Sequence, residues 1–259
     1  SNTTLFDNKI EEVHFHKCSF LGTIVIENFF SISTLDFSQT KFTFESLKSL
    51  FDSIKLPIRR IMLNNITIEN ESLMKFYDQL PQYNFLFLEQ FEFADNFVPA
   101  SHISHFIDFI SKMKNLTILN ISSVFDSNDQ STIIKISNLL HNLTRLLFLI
   151  LKGTSKSAFN SEFTQIFDNL PPFLFYLDIS GQNIGDEGMI QLSQFINSRS
   201  QPNDQLNSIS SFTATTIGHP FLTDFSLQAD GSLNYIKCNK MGCTIKGLIT
   251  VIEAIIGDN

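Results

Sequence analysis

Residues 174–196, LFYLDISGQNIGDEGMIQLSQFI, carry two apolar rhythms in succession. Leu174, Leu177 and Ile179 follow a Leu-x-x-Leu-x-Leu spacing, which alternates as a strand does. Ser180 and Gly181 then make a turn, and Ile184 follows. Met189, Leu192, Phe195 and Ile196 recur at helical spacing. One strand, one turn and one helix fit into about 23 residues, and such a unit cannot bury its own apolar edge.

The same figure recurs along the whole chain. Anchored on the second leucine-like residue, it falls at Val13, Leu35, Ile61, Phe91, Leu119, Leu149, Leu177, about Phe212, and Ile236. The mean step is about 28 residues, long enough for a full helix in each unit. Pro57, Pro81 and the pair Pro171–Pro172 lie between helix and strand, where a helix should stop. The first helical half, TIVIENFF, is short and is expected to be irregular. The eighth unit is the least regular: residues 198–205 read as a polar insertion, and the strand is placed at Ile209, Phe212 and Ala214. Stacked units share one continuous core. The expectation is one domain over residues 1–259, with about nine units and residues 1–9 as an N-terminal lid. The end just after a helix reads as a fragment of a longer protein.

The wording LDISGQNIGDEG resembles the ribonuclease-inhibitor class of leucine-rich repeats. The resemblance covers the whole chain and implies an α/β solenoid, a right-handed horseshoe with parallel strands on the concave side and helices on the convex side. The irregular units and the helix GLITVIEAI are similar to the array of the CARMIL family, cytoskeletal regulators that bind actin capping protein through a segment outside the repeats. What that likeness implies is a scaffold inside a larger cytoskeletal regulator. Units of this class carry Asn or Cys five residues after the anchor to satisfy turn backbone. Cys18 and Asn96 fit, Thr40, Thr154 and Gln182 are polar substitutes, and Ile66, Val124 and Met241 do not serve. The turns at those last three are expected to find other partners.

Composition narrows the function. The net charge of −8 argues against a nucleic-acid partner, which needs a basic face. No apolar run reaches the ~20 residues of a membrane span, and no signal sequence opens the chain. Cys18, Cys238 and Cys243 are a poor disulfide framework and read as reduced, buried thiols in a cytoplasmic protein. The 28 phenylalanines stand at many positions where leucine is usual, a compositional habit rather than an aromatic site. There is no phosphate loop, Gly-x-Ser-x-Gly elbow or His-Glu-x-x-His helix. Neither a catalytic residue nor a cofactor is assigned.

Residues one before, one after and three after each anchor face the concave surface. Ile118, Phe148, Ile150 and Tyr176 should be neighbours on three adjacent strands, and an apolar cluster facing solvent marks a contact surface. Arg60, Met62 and Asp178 belong to the same face. Arg59 and Arg60 with Glu89 and Glu92 read as surface ion pairs, worth ~0–1 kcal/mol each. His14 and His16 share the face near Glu12, but a metal site needs three or four converging ligands, so no metal is assigned. The resulting expectation is a non-catalytic scaffold that binds a protein partner on the concave face. Two other readings stay open: a regulator that activates small GTPases, and an architectural module that self-associates as a homo-oligomer.

Overall fold

The computed structural model describes residues 10–26, 31–55, 57–68, 70–125, 130–154, 157–199, 211–215, 224–228, 235–237 and 241–256. It is an α/β fold on a mostly parallel sheet. In chain order the elements are β1 (Glu12–His14), β2 (Ser19–Phe20), β3 (Thr34–Asp36), β4 (Lys41–Phe42), α1 (Phe44–Ser53), β5 (Arg60–Met62), β6 (Thr67–Ile68), α2 (Asn70–Gln79), β7 (Gln90–Glu92), α3 (Ile103–Ser111), β8 (Ile118–Asn120), α4 (Gln130–Asn142), β9 (Phe148–Ile150), β10 (Tyr176–Asp178), α5 (Gly185–Arg199), β11 (Ser211–Thr215), β12 (Asp224–Gln228), β13 (Tyr235–Lys237) and α6 (Ile245–Ile256). Among the described residues, no helix is long and apolar enough to cross a membrane.

The long sheet runs β1-β3-β5-β7-β8-β9-β10-β13-β12-β11. From β1 to β13 every pair is parallel and in register on the anchors: Val13 faces Leu35, Leu35 faces Ile61, then Phe91, Leu119, Leu149, Leu177 and Ile236 follow. Within each strand from β5 to β9 on this sheet the anchor is buried, and the residues beside it are at least partly open. That alternation puts one sheet face against the helices and leaves the other open. A single apolar core runs from Ile26 to Val251, and its largest fully buried side chains are mostly phenylalanine and tyrosine.

Three features depart from the sequence reading. First, among the described residues there is no parallel eighth strand: β10 pairs directly with β13, although Leu177 and Ile236 are far apart in sequence. The stretch around Phe212 and Ala214 does form a strand, β11, but it pairs antiparallel with β12, which pairs antiparallel with β13. Ile209, the lid at 1–9 and all of the insertion beyond Arg199 lie outside the described residues. Second, a full helix does not fill every unit. Residues 22–26 are not helical, and Ser161–Asn169 form a 3-10 helix where the spacing predicts an α-helix. In the first case α1 offers a substitute surface. Ser46, Ser49 and Ser53 lie along one side of it. The Ser46 hydroxyl donates to the Phe20 carbonyl, while Ser49 and Ser53 accept from the N–H groups of Ile24 and Ile26. Third, a short parallel ladder, β2-β4-β6, forms just after the first three turns.

The turns share one hidden regularity. Four residues after the anchor the backbone takes positive φ at Lys17, Gln39, Asn65, Asp95, Ser123 and Gly181. Gly181, Asn65 and Asp95 are residue types that favour this conformation, whereas Lys17, Gln39 and Ser123 give no such signal, and Gly153, at the same place after Leu149, does not adopt it.

At the other end α6 packs on α5. Asp186, in the first turn of α5, accepts from the backbone N–H of Thr244 at 2.6 Å and from its hydroxyl at 2.7 Å. Gly247 lets the helices close, because a Cβ there would lie 2.5 Å from Asp186 Oδ1. The Thr244 hydroxyl and N–H hold the Asp186 carboxyl below the usual carboxylate range, against a small opposing effect of burial. Because the folded value is the lower one, this stabilisation is complete above the unfolded value, about 4, and fades as pH falls through the folded value. Urea denaturation should therefore show Asp186→Ala weaker than the wild type at pH 7, with the gap narrowing as pH falls below about 4.

Candidate partner-binding face

On the open face, register places Ile118 beside Phe148 and Phe148 beside Tyr176, with Asn120, Ile150 and Asp178 in the next row. Ile118, Phe148, Ile150 and Tyr176 are all half-buried. The rings of Phe148 and Tyr176 lie 5.8 Å apart. Phe148 also meets Phe175, at 5.6 Å.

That second contact shows a part of the face missing from the sequence reading. Phe175 is 42% exposed, Leu147 is 37% exposed and Phe173 is 67% exposed. Leu147 and Phe175 each stand two residues before an anchor, so they line the edge where the chain comes into the sheet. Their backbones are joined there, since the N–H groups of Phe175 and Tyr176 both donate to the Leu147 carbonyl. The signal was present in the sequence. Two consecutive strands begin on large apolar residues at that position, where the two preceding strands have Glu89 and Thr117.

No protein-family model matches this chain, and no curated protein matches it. The chemistry of the face therefore rests on its own side chains.

Three members of the expected face behave differently from the apolar row. Asp178 is only 1% exposed and serves the fold rather than a partner. Its Oδ1 accepts from the Ser180 N–H at 3.1 Å, and its Oδ2 lies 3.4 Å from Lys152 Nζ. Arg60 is exposed but pairs back across the sheet with Glu12 at 3.7 Å, not forward with Glu92. Glu92 instead accepts from Asn64 and Gln90. Register sets Thr34 between Glu12 and Arg60, so that pair spans it, and its hydroxyl is buried without a hydrogen-bond partner. Met62 is half-buried beside them. Arg59 and Glu89 form the expected ion pair.

The histidines have company that the sequence reading did not supply. Asp36 is the direct cross-strand partner of His14. His14, His16 and Asp36 each bring a ligand atom to within 4.8 Å of the others. Local spacing could not show this, because the carboxylate comes from the neighbouring strand. Asp36 is 7% exposed. Burial alone would push its carboxyl up, but bonds from the Ser38 N–H and hydroxyl and from both histidines outweigh it and hold the carboxyl below its usual range. The Glu12 bond to His14, with help from Asp36, raises that imidazole above the ordinary histidine value against a small effect of burial.

Of the thiols expected to be buried, Cys243 is and Cys18 is only partly so. Cys243 is buried, and burial pushes its thiol up, further from a reactive thiolate. Cys18 is half-buried and donates to the His16 carbonyl at 3.5 Å. Cys238 lies outside the described residues.

Proposed function

We propose that this chain is a leucine-rich repeat horseshoe of the ribonuclease-inhibitor type, acting as a non-catalytic scaffold. Its concave face binds a protein partner through the apolar row of β8, β9 and β10. The observation that carries this reading is the continuous run Ile118–Phe148–Tyr176, extended at the leading edge of the sheet by Leu147 and Phe175. A large apolar side chain loses roughly 1.5–3 kcal/mol by remaining in water. A contiguous group of them is therefore a contact surface rather than neutral decoration. Aromatic residues ringed by polar ones are also the usual anchors of protein interfaces. Here Asn120 stands directly across from Ile150, and Thr117 and Lys152 flank the row along their own chain segments.

The horseshoe assignment is supported by the in-register parallel anchors and by the positive-φ turn that stands four residues after six of them, Gly153 after Leu149 being the exception. A turn recurring at one place in most strands is what a repeated unit produces.

Phe148→Ala should weaken binding of a protein captured from source-cell extract by about 1–2 kcal/mol. The control Ile134→Ala, on the exposed side of α4, should leave binding unchanged. Titration of the captured protein against both variants is the measurement. Equal affinity for wild type and Phe148→Ala removes the proposal, as does loss of binding in the Ile134 control alone. Sedimentation of the wild-type chain separates the self-association reading: a second copy on this face gives a dimer that Phe148→Ala dissociates.

A further inference from the structure

We propose that His14, His16 and Asp36 form a binding site for one divalent transition-metal ion of the zinc class, tying the edge strand β1 to β3.

The ligand set is built rather than scattered. His14 and His16 alternate along one chain segment, so both point to the open face. Asp36 stands directly across from His14. His16 Nε2 lies 2.7 Å from Asp36 Oδ2 and His14 Nδ1 lies 3.4 Å from the same oxygen. Two imidazole nitrogens converging on one carboxylate oxygen is the arrangement a metal replaces. In a tetrahedral site with bonds of about 2.0–2.2 Å, neighbouring ligand atoms sit about 3.3–3.5 Å apart. The ligand atoms need only small side-chain adjustments to reach that spacing.

The outer contacts orient the ligands correctly. Asp36 uses Oδ1 to accept from the Ser38 N–H at 2.9 Å, which leaves Oδ2 for an ion. His14 Nε2 lies 3.3 Å from Glu12 Oε2. With an ion bound, a proton kept on Nε2 by that carboxylate frees the Nδ1 lone pair, on the nitrogen that faces Asp36, and the Nδ1 proton that otherwise bridges to Asp36 is released. Carboxylate–histidine–metal chains of this kind fix the tautomer and raise the ligand's basicity. Both imidazole side chains are about half exposed, at 45% and 52%. An ion can reach the site from solvent, and water can complete the coordination.

Two imidazoles and one carboxylate favour Zn²⁺, Ni²⁺ or Cu²⁺ over Mg²⁺ or Ca²⁺, which prefer all-oxygen ligands. The placement gives the ion a mechanical part. Among the described strands β1 is the outermost of the sheet and pairs on one side only, with β3. A bond from both histidines to Asp36 cross-links that strand to its neighbour.

Calorimetric titration of the metal-free 259-residue chain with ZnCl₂ tests this. One equivalent should bind, and His14→Gln and His16→Gln, both at exposed positions that leave the core intact, should each weaken binding at least tenfold. Glu12→Gln should weaken it by a smaller factor. Co²⁺ in place of Zn²⁺ should give the visible absorption of a four-coordinate site, lost in His16→Gln. Absence of saturable Zn²⁺ binding overturns the site. So does binding that both histidine variants retain at full strength, which would locate the ion elsewhere, or displacement of Zn²⁺ by Mg²⁺ in modest excess.

Discussion

Asn96→Ala should lower the unfolding free energy by about 3 kcal/mol, read as a lower urea midpoint at unchanged slope. The side chain is buried in the turn after β7 and joins that turn to the one after β5. Its amide donates to the carbonyls of Leu63, Phe93 and Ala94, at 2.7, 2.8 and 3.2 Å. Its Oδ1 accepts from the Ile66 N–H at 2.9 Å. Alanine removes all four bonds, leaving the part-buried Ile66 N–H and the carbonyls of Leu63, Phe93 and Ala94 without their side-chain partner. Each unsatisfied buried group costs about 1–3 kcal/mol, with N–H groups less forgiving than carbonyls. A second substitution separates lost bonding from lost volume. Asn96→Asp at pH 7 keeps the acceptor for Ile66 but turns an anion towards three carbonyl oxygens. It should be at least as damaging as alanine. Equal stability of all three proteins would show that this side chain does not hold the turns together.

Gly181→Ala is expected to cost about 3 kcal/mol or more, measured in the same way, from two separable causes. Its backbone has φ of +77°, where a Cβ costs roughly 1–2 kcal/mol. The added carbon would also lie 2.3 Å from the Gly153 carbonyl oxygen. That neighbour is backbone and cannot rotate away, so the two turns must separate, adding about 1–3 kcal/mol as overpacking does. Gly153 faces it in kind, since a Cβ there would lie 2.6 Å from the Gly181 carbonyl oxygen. Ser123 occupies the equivalent turn position two coils earlier, with φ of +57°. Ser123→Gly relieves the left-handed strain and loosens the unfolded chain by a similar amount, so its net change should stay within about 1 kcal/mol. A Gly181→Ala protein as stable as the wild type would mean the turns are not in contact.

The anchors were legible because a core-facing strand residue must be apolar whatever its neighbours are. Register followed from them, and so did the grouping of Ile118, Phe148 and Tyr176. What alternation omits is depth and direction. It puts Asp178 on the open face, yet the side chain is sunk beneath Lys152 and held by Ser180. It finds a strand near Phe212 but carries no sign of whether that strand runs parallel or antiparallel. The repeat pattern alone leaves the turn at Ile66 short of a partner. The structure supplies one in Asn96, which serves the turn after β5 as well as its own. Asp36 is placed beside His14 by the same register, since each stands one residue after its anchor; what spacing along one strand leaves out is that His16 also reaches that carboxylate, at 2.7 Å. The positive-φ turns are only half legible: Asn65, Asp95 and Gly181 suit the conformation, while lysine, glutamine and serine occupy it at 17, 39 and 123 without signalling it.

The antiparallel pair β11–β12 also changes what the far side of the sheet can accept. β13 already has β10 along one flank and β12 along the other, so both of its hydrogen-bonding edges are occupied. A chain running on from α6 finds no vacant rung on the strand that precedes it. To lengthen the parallel run, a newcomer must first peel β12 away. Among the described strands, the free border on that side belongs to β11, whose backbone runs opposite to its neighbour. A strand joining there in either sense would extend the sheet out of sequence order.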